Sequence, residues 1–427
     1  MLILMVVLIG LAILGAPLGV AMIASGIAYL LFNGQDVGLV TEQVMNNMFN
    51  SYVVIAVPLF IFAANIMNAG TISDRLFALG NAFVGHLRGG LAYVNVLVSV
   101  IFAGMSGSAI ADAAGPGMVS IRMMTEKKRY TPEFSAALTA SAASIGPIVP
   151  PSIPMILYAL VSGTSVGALF LAGVVPGLLM ALALSLVIFL VARKRDFPAG
   201  PRPSAKEFLQ VLLKGLLPLS LPFVLLGGIY SGIFTPTEAA AVAALYALFL
   251  AAIVYRKLNL RDFLDLLLVS VRSSASVSIL IAGAFILNYV VVIEKVPNNI
   301  ADAIAAANLT KVQFLIAINV VFLILGCLID TTTMLLVLVP VLLPTVTQLG
   351  IDPVHFGVVV IVNTMIGLLT PPFGMILFII NGLTGTPLGG IIREIVPFLI
   401  MLIVVLLLIS FVPILVLWLP QLFGYQV

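Results

Sequence analysis

Apolar runs broken by short clusters of charge, proline and glycine extend along the whole chain of 427 residues. They divide it into segments 1–15, 17–32, 52–69, 91–125, 134–165, 167–192, 211–232, 237–254, 268–293, 312–346, 356–381 and 397–420. A helix needs roughly 20 apolar residues to span a bilayer core, so the pattern predicts membrane helices throughout. Two segments, 91–125 and 312–346, are too long for one span. Each carries small or polar residues at its middle: Gly104-Met105-Ser106-Gly107-Ser108, and Gly326 through Thr333. An arm of about 15 residues covers roughly 22 Å, enough to enter a bilayer and turn back. Both segments therefore read as re-entrant hairpins; the alternative is one long tilted helix with a polar kink. Segments 33–50, 70–90, 255–268 and 295–311 mix charged with apolar residues and read as in-plane amphipathic helices.

Composition narrows the class. Apolar residues make up 62% of the chain and charged residues 8%, against about 25% charged in a soluble domain. This excludes a soluble globular or disordered protein. The net charge of +3, with scattered basic residues, gives no nucleic-acid footprint. The one cysteine, Cys327, leaves no internal disulfide and no multi-cysteine metal site. If both hairpins return to the side they entered, Arg75, Arg88, Lys127, Lys128, Arg129, Arg193, Lys194, Arg195, Arg256, Lys257, Arg261 and Arg393 share one face. Lys295 and Lys311 fall on the other, with Asp36, Glu42, Glu294, Asp302 and Asp352. The positive-inside rule then places the basic loops in the cytoplasm and both termini outside. Trp418 reads as an interfacial anchor.

The two halves repeat each other. Gly146-x3-Pro150-Pro151 recurs as Gly367-x3-Pro371-Pro372, displaced by 221, and Pro176 and Pro397 each follow 25 residues later. Met155-Ile156-Leu157-Tyr158 is echoed by Met375-Ile376-Leu377-Phe378, Pro17 by Pro236, and Asp112 by Asp330. The expected fold is an all-α polytopic membrane protein of two inverted-topology repeats. Each repeat has five crossing segments, one of them discontinuous, and one re-entrant hairpin. Residues 1–195 form the first repeat, 196–213 a cytoplasmic linker and 214–427 the second. Inverted repeats with broken helices at matched positions point to a secondary transporter.

Consecutive prolines after a glycine should unwind segments 134–165 and 356–381, freeing main-chain carbonyls at membrane depth. A proline kink satisfied by neighbouring helices is the plainer reading. Hydroxyls and carbonyls are hard neutral oxygens that suit Na⁺ better than a transition metal. Two Na⁺ sites are expected: Ser106, Ser108, Gly146 and Val149 in one, Gly326, Thr331, Gly367 and Thr370 in the other. Substrate-binding or gating candidates are Asp112, Pro150, Pro151, Asp330, Thr332, Asn363, Pro371 and Pro372. Asp112 and Asp330 could orient the hairpin tips, ligate a cation or be structural. Glu238 after Thr235-Pro236-Thr237 reads equally as a helix cap or as a functional acid. The small residues of Ser135 through Ser144 suit either close packing or sliding. His86 and His355 are expected in loops, on the surface. No Gly-x4-Gly-Lys-Ser/Thr motif is present for ATP hydrolysis.

Four stretches together carry a family resemblance across essentially the whole chain. They are Gly104 through Asp112, Gly146-Pro147-Ile148-Val149-Pro150-Pro151-Ser152, Thr235-Pro236-Thr237-Glu238-Ala239-Ala240 and Asn363 through Gly374. The chain resembles the large membrane subunit (DctM type) of TRAP transporters, the tripartite ATP-independent periplasmic systems. The resemblance implies a non-enzymatic importer of organic acids such as C4-dicarboxylates or sialic acid, in a bacterial inner membrane. It implies a periplasmic substrate-binding protein and a small membrane subunit, expected as a separate chain because the first repeat begins at residue 1. It also implies a fold like that of the divalent-anion/sodium symporters, with an elevator-type transport domain. Each hairpin tip and unwound helix would hold Na⁺ between them. A stand-alone divalent-anion/sodium symporter and a channel or scaffold subunit are the rival readings.

Overall fold

Polar caps decide where these apolar stretches start and stop as helices. The computed structural model describes residues 1–69, 72–126 and 130–425; the basic run Lys127, Lys128 and Arg129 lies outside the described residues. The chain opens with α1 (Leu2–Ile13), α2 (Leu18–Phe32), α3 (Gly38–Asn50), α4 (Val53–Ala69) and α5 (Ile72–Val84). The first long segment then divides into α6 (Gly90–Ser106), α7 (Ala109–Ala114) and α8 (Pro116–Thr125). Gly107 ends α6 with φ +61°, a conformation that costs glycine nothing, and Ser108 caps α7. Because α8 packs back against α6, the segment is a hairpin.

Segment 134–165 becomes α9 (Pro132–Ala143) and α10 (Ile153–Ser162), separated by a non-helical stretch over 144–152. Thr131 caps α9 and Ser152 caps α10. The first half closes with α11 (Val166–Lys194), and α12 (Ala205–Tyr230) begins inside the stretch expected as linker, behind the capping box of Ser204 and Glu207. Next comes α13 (Pro236–Phe249), whose end widens into a π turn over Leu250–Val254. Then follows α14 (Leu260–Ile293), 34 residues long. The expected in-plane helix at 255–268 is a correction: its helical part is the start of α14. Asn259 caps that helix, and no Pro or Gly interrupts it before Gly283, so nothing stops propagation.

The second half continues through α15 (Val296–Ala306), α16 (Lys311–Gly326), α17 (Thr331–Gln348), α18 (Pro353–Gly367), α19 (Met375–Thr384), α20 (Leu388–Phe411) and α21 (Ile414–Leu422). Asp330 caps α17 and Asp352 caps α18. The two arms of this second break splay: α16 packs mainly on α18, and α17 on α10, α14 and α15. With 18 residues, α17 exceeds the arm length expected from the sequence. Among the described residues six helices are long and apolar enough to cross a membrane, or seven counting the bent pair Gly38–Asn50 and Val53–Asn68. The chain is a multi-pass, all-helical membrane protein.

Two helix groups divide the molecule. One contains α1, α2, α4, α13 and α14; in it α4 packs on α13, and α2 on α14. Displacement by about 220 residues exchanges these two pairs (an offset read from Pro17 and Pro236). The other group centres on α9 and α18, flanked by α6, α10, α11, α16 and α20. Every residue of α18 from Val354 to Gly367 is buried, as is every residue of α9 from Phe134 to Ala143. The small side chains of Ser135 through Ser144 thus serve close packing at a buried centre. His355, expected on the surface, lies inside this group at 1% exposure, with Nε2 2.8 Å from the carbonyl of Ile409. Only its first-turn position next to Asp352 resembles a loop in the sequence.

Candidate functional site

The first helix break meets the tip of the first hairpin, and the second meets the turn between α16 and α17. At the first, Gly146 approaches Ser108 so closely that a Cβ on it would stand 3.3 Å from the Ser108 carbonyl. A Cβ on Gly107 would collide with the carbonyl oxygen of Pro151. The Ser108 amide points at Ser106 Oγ, 3.5 Å away, and Ser108 Oγ accepts from Ala111 N at 3.3 Å. The Ile145 carbonyl accepts from Ile148 and Val149, and the Pro147 carbonyl accepts the hydroxyl of Ser152. Among the described residues, the carbonyls of Gly146 and Val149 receive none of the backbone bonds that close this turn. Ser106, Ser108 and Gly146 thus adjoin one another at this tip, and Val149 lies three residues on in the same turn.

The second junction is closer still. A Cβ on Gly367 would stand 2.7 Å from Gly326 Cα, so α16 and α18 touch backbone to backbone. The Gly367 carbonyl already accepts from Thr370 N at 2.9 Å, leaving one lone-pair direction. Thr370 Oγ1 donates to the Ile366 carbonyl at 2.8 Å, which keeps its own lone pairs free. Thr331 Oγ1 is buried without a partner among the described residues. Asp330 spends its carboxylate on Thr333, accepting from N at 3.0 Å and from Oγ1 at 2.6 Å. Both Pro150–Pro151 and Pro371–Pro372 are cis.

Between the junctions lies a cavity of about 510 Å³. Gly107, Ser108, Pro147 and Ile153 line it from the first half; Asp330, Thr331, Thr332, Met365 and Leu368 line it from the second. Its remaining wall comes from the other helix group, through Asn65 and Asn68 of α4 and Ser273 of α14. Asn65 donates to Ser270 at 2.9 Å, and Asn68 donates across the groups to the Ala111 carbonyl at 3.2 Å. These wall residues were not among the sequence candidates, although two asparagines in an apolar helix are the kind of polar residue that marks a pathway.

Several candidates lie elsewhere. Asn363 is buried in α18 and donates to the Asn319 carbonyl at 3.0 Å and to Asn319 Oδ1 at 2.9 Å. Asn319 in turn donates to Ser410. Asn363 is therefore a clamp between α18, α16 and α20, outside the cavity lining. Pro150 and Pro151 are buried behind the first tip, whereas Pro372 is exposed; none of them, nor Pro371, lines the cavity. Asp112 is fully buried, also off the cavity. Glu238 completes the capping box of α13 through Thr235 N at 2.8 Å and Thr235 Oγ1 at 2.9 Å, which makes it a structural cap. No group of three or more His, Cys, Asp or Glu residues gathers among the described residues.

Residues 5–415 match the family model of the tripartite ATP-independent periplasmic transporter, DctM component. The sialic acid TRAP transporter large permease protein SiaM of Vibrio cholerae is 40% identical over 419 residues, covering 98% of each chain. The C4-dicarboxylate TRAP transporter large permease protein DctM of Pseudomonas aeruginosa is 40% identical over 402 residues, covering 94% of each. Among solved structures, the YdaH transporter of Alcanivorax borkumensis superposes with a TM-score of 0.65 at 16% identity, over 86% of each chain, a likeness of fold alone. The chain belongs to the DctM family, the large membrane component of tripartite ATP-independent periplasmic transporters, and is a transport permease rather than an enzyme.

Proposed function

We propose that this permease imports an organic acid, of the C4-dicarboxylate or sialic acid kind, by Na⁺-coupled symport across a bacterial inner membrane. A periplasmic binding protein delivers the substrate, and a small membrane subunit, as a separate chain, completes the system. The observation that carries this reading is the cavity shared by two hairpin tips, each docked on its own broken helix. Na⁺ bound by Ser106, Ser108, Gly146 and Val149, and by Gly326, Thr331, Gly367 and Thr370, assembles both tips around the cavity. The polar tip residues Ser108, Thr331 and Thr332 then face the substrate, with Asp330 fixing the second tip.

The central group acts as the transport domain and the α2–α4–α13–α14 group as the scaffold, with the cavity on the seam. The exchange of contacts between halves supports an inverted repeat, and with it two alternating faces. Two Na⁺ with a monoanion carry one net charge, worth about 2.3 kcal/mol per 100 mV; with a dianion they carry none. In proteoliposomes holding the large and small subunits, uptake is expected to saturate, to require an inward Na⁺ gradient and to require the soluble partner. Uptake without the partner would favour a stand-alone symporter, and conductance independent of any gradient would favour a channel.

A further inference from the structure

Behind the first tip, off the cavity, lies a buried polar cluster that the two Na⁺ sites leave unused. Asp112 of α7 has no exposed surface, and neither carboxyl oxygen has a hydrogen-bond partner among the described residues. Ser99 of α6 stands beside that carboxyl. One turn earlier on α6, Asn95 donates to Thr139 Oγ1 of α9 at 2.7 Å and leaves its own Oδ1 unpartnered. The same amide nitrogen lies 3.8 Å from Met124 Sδ of α8. Between Gly117 and Met124 on α8, Ser120 is fully buried with an unpartnered Oγ. Gly117 closes the ring: a Cβ there would stand 2.7 Å from Thr139 Cγ2 and 2.9 Å from the Asp112 carbonyl oxygen. Helices α6 to α9 thus bring carboxylate, amide and hydroxyl oxygens to one buried place.

No positive charge answers this carboxylate. Of the helices packed on α7, α6 carries Tyr93, α8 carries the exposed Arg122 and α9 carries the half-buried Glu133 in its first turn, while α4 and α19 carry no ionisable group. A carboxylate buried without a countercharge is among the costliest arrangements a membrane protein can hold, so a bound cation is the natural complement. The donors are all oxygen, which disfavours a transition metal, and their single negative charge matches a monovalent ion. We propose that Asp112, with Asn95, Ser99, Ser120 and Thr139, forms a third Na⁺ site inside the first hairpin. The inference rests on the Na⁺-coupled reading above and adds one positive charge to each transport cycle. The Asp112 amide donates to the Ser108 carbonyl at 3.0 Å, a direct route from this site to the tip.

The test compares Na⁺ and substrate fluxes through the complete transporter in proteoliposomes, alongside Na⁺-induced thermal stabilisation of the detergent-solubilised complex. Asp112→Asn is expected to lower the Na⁺-to-substrate ratio by one and to raise the Na⁺ concentration for half-maximal stabilisation several-fold. Ser120→Ala is expected to raise that concentration more modestly. A wild-type ratio and wild-type Na⁺ response in Asp112→Asn would overturn the third site while leaving the tip sites standing. Loss of Na⁺ dependence from the unaltered protein would instead overturn the parent reading. If Asp112→Asn fails to assemble, Ser120→Ala and Asn95→Ala decide, and an unchanged Na⁺ response in both overturns the site. An infrared band of a protonated Asp112 carboxyl that persists at saturating Na⁺ would overturn it as well.

Discussion

Thr370 shows how a single hydroxyl can serve fold and function together. It donates to the Ile366 carbonyl, which also accepts from Leu369 N at 3.0 Å, yet its own lone pairs stay available. Ser106→Ala and Thr370→Ala are each expected to raise the half-saturating Na⁺ concentration for uptake several-fold, and unchanged Na⁺ activation in both would remove these ligand assignments. Gly367→Ala tests the backbone contact, because its methyl group would meet Gly326 Cα at 2.7 Å. It should abolish transport, with the protein still inserted, as measured by uptake against surface expression. Asn363→Ala breaks two bonds to Asn319 in a buried place. A cost of about 1–3 kcal/mol to stability is expected, read by thermal unfolding, with no change in substrate affinity. Gly146 and Gly367 were legible in the sequence because both halves spell them ahead of a proline pair at an offset of 221, and the hydroxyls because they interrupt long apolar segments. The role of Asn363 was not, since an asparagine in an apolar run looks the same whether it faces a cavity or a neighbouring helix.

Among the elements, α13 holds Glu238 in its N-terminal capping box. The Glu238 carboxylate accepts from the Thr235 N–H at 2.8 Å and from the Thr235 hydroxyl at 2.9 Å, closing the first turn of the helix. Thr235→Ala should destabilise the protein by about 1 kcal/mol without moving the Na⁺ dependence of uptake; a shift in Na⁺ dependence would return Glu238 to the functional residues. The helices behind Thr131 and Asp352 start within a few residues of the expected segments, whereas the one behind Ser204 starts inside the stretch expected as linker. The start of α14 was not readable, because charged residues at 261, 262 and 265 imitate a separate surface helix. The burial of His355 was equally hidden, for it depends on α20 passing beside the first turn of α18.

At the scale of the molecule, periodicity and the repeated landmarks indicated a helical membrane protein with matched halves. Which helices would group could not be read, since lipid-facing and protein-facing positions are both apolar here. The grouping places α4 against the first hairpin at Asn68 and Ala111, across the seam where the proposed transport domain would slide past its scaffold. The most direct test replaces Cys327 with Ser, introduces Asn68→Cys and Ala111→Cys, and bridges the pair with a short cleavable bis-thiol reagent in proteoliposomes. The account predicts that uptake stops when the bridge forms and returns when it is cleaved, with Na⁺ still stabilising the bridged protein. Uptake at the unbridged rate while the bridge is intact would contradict it.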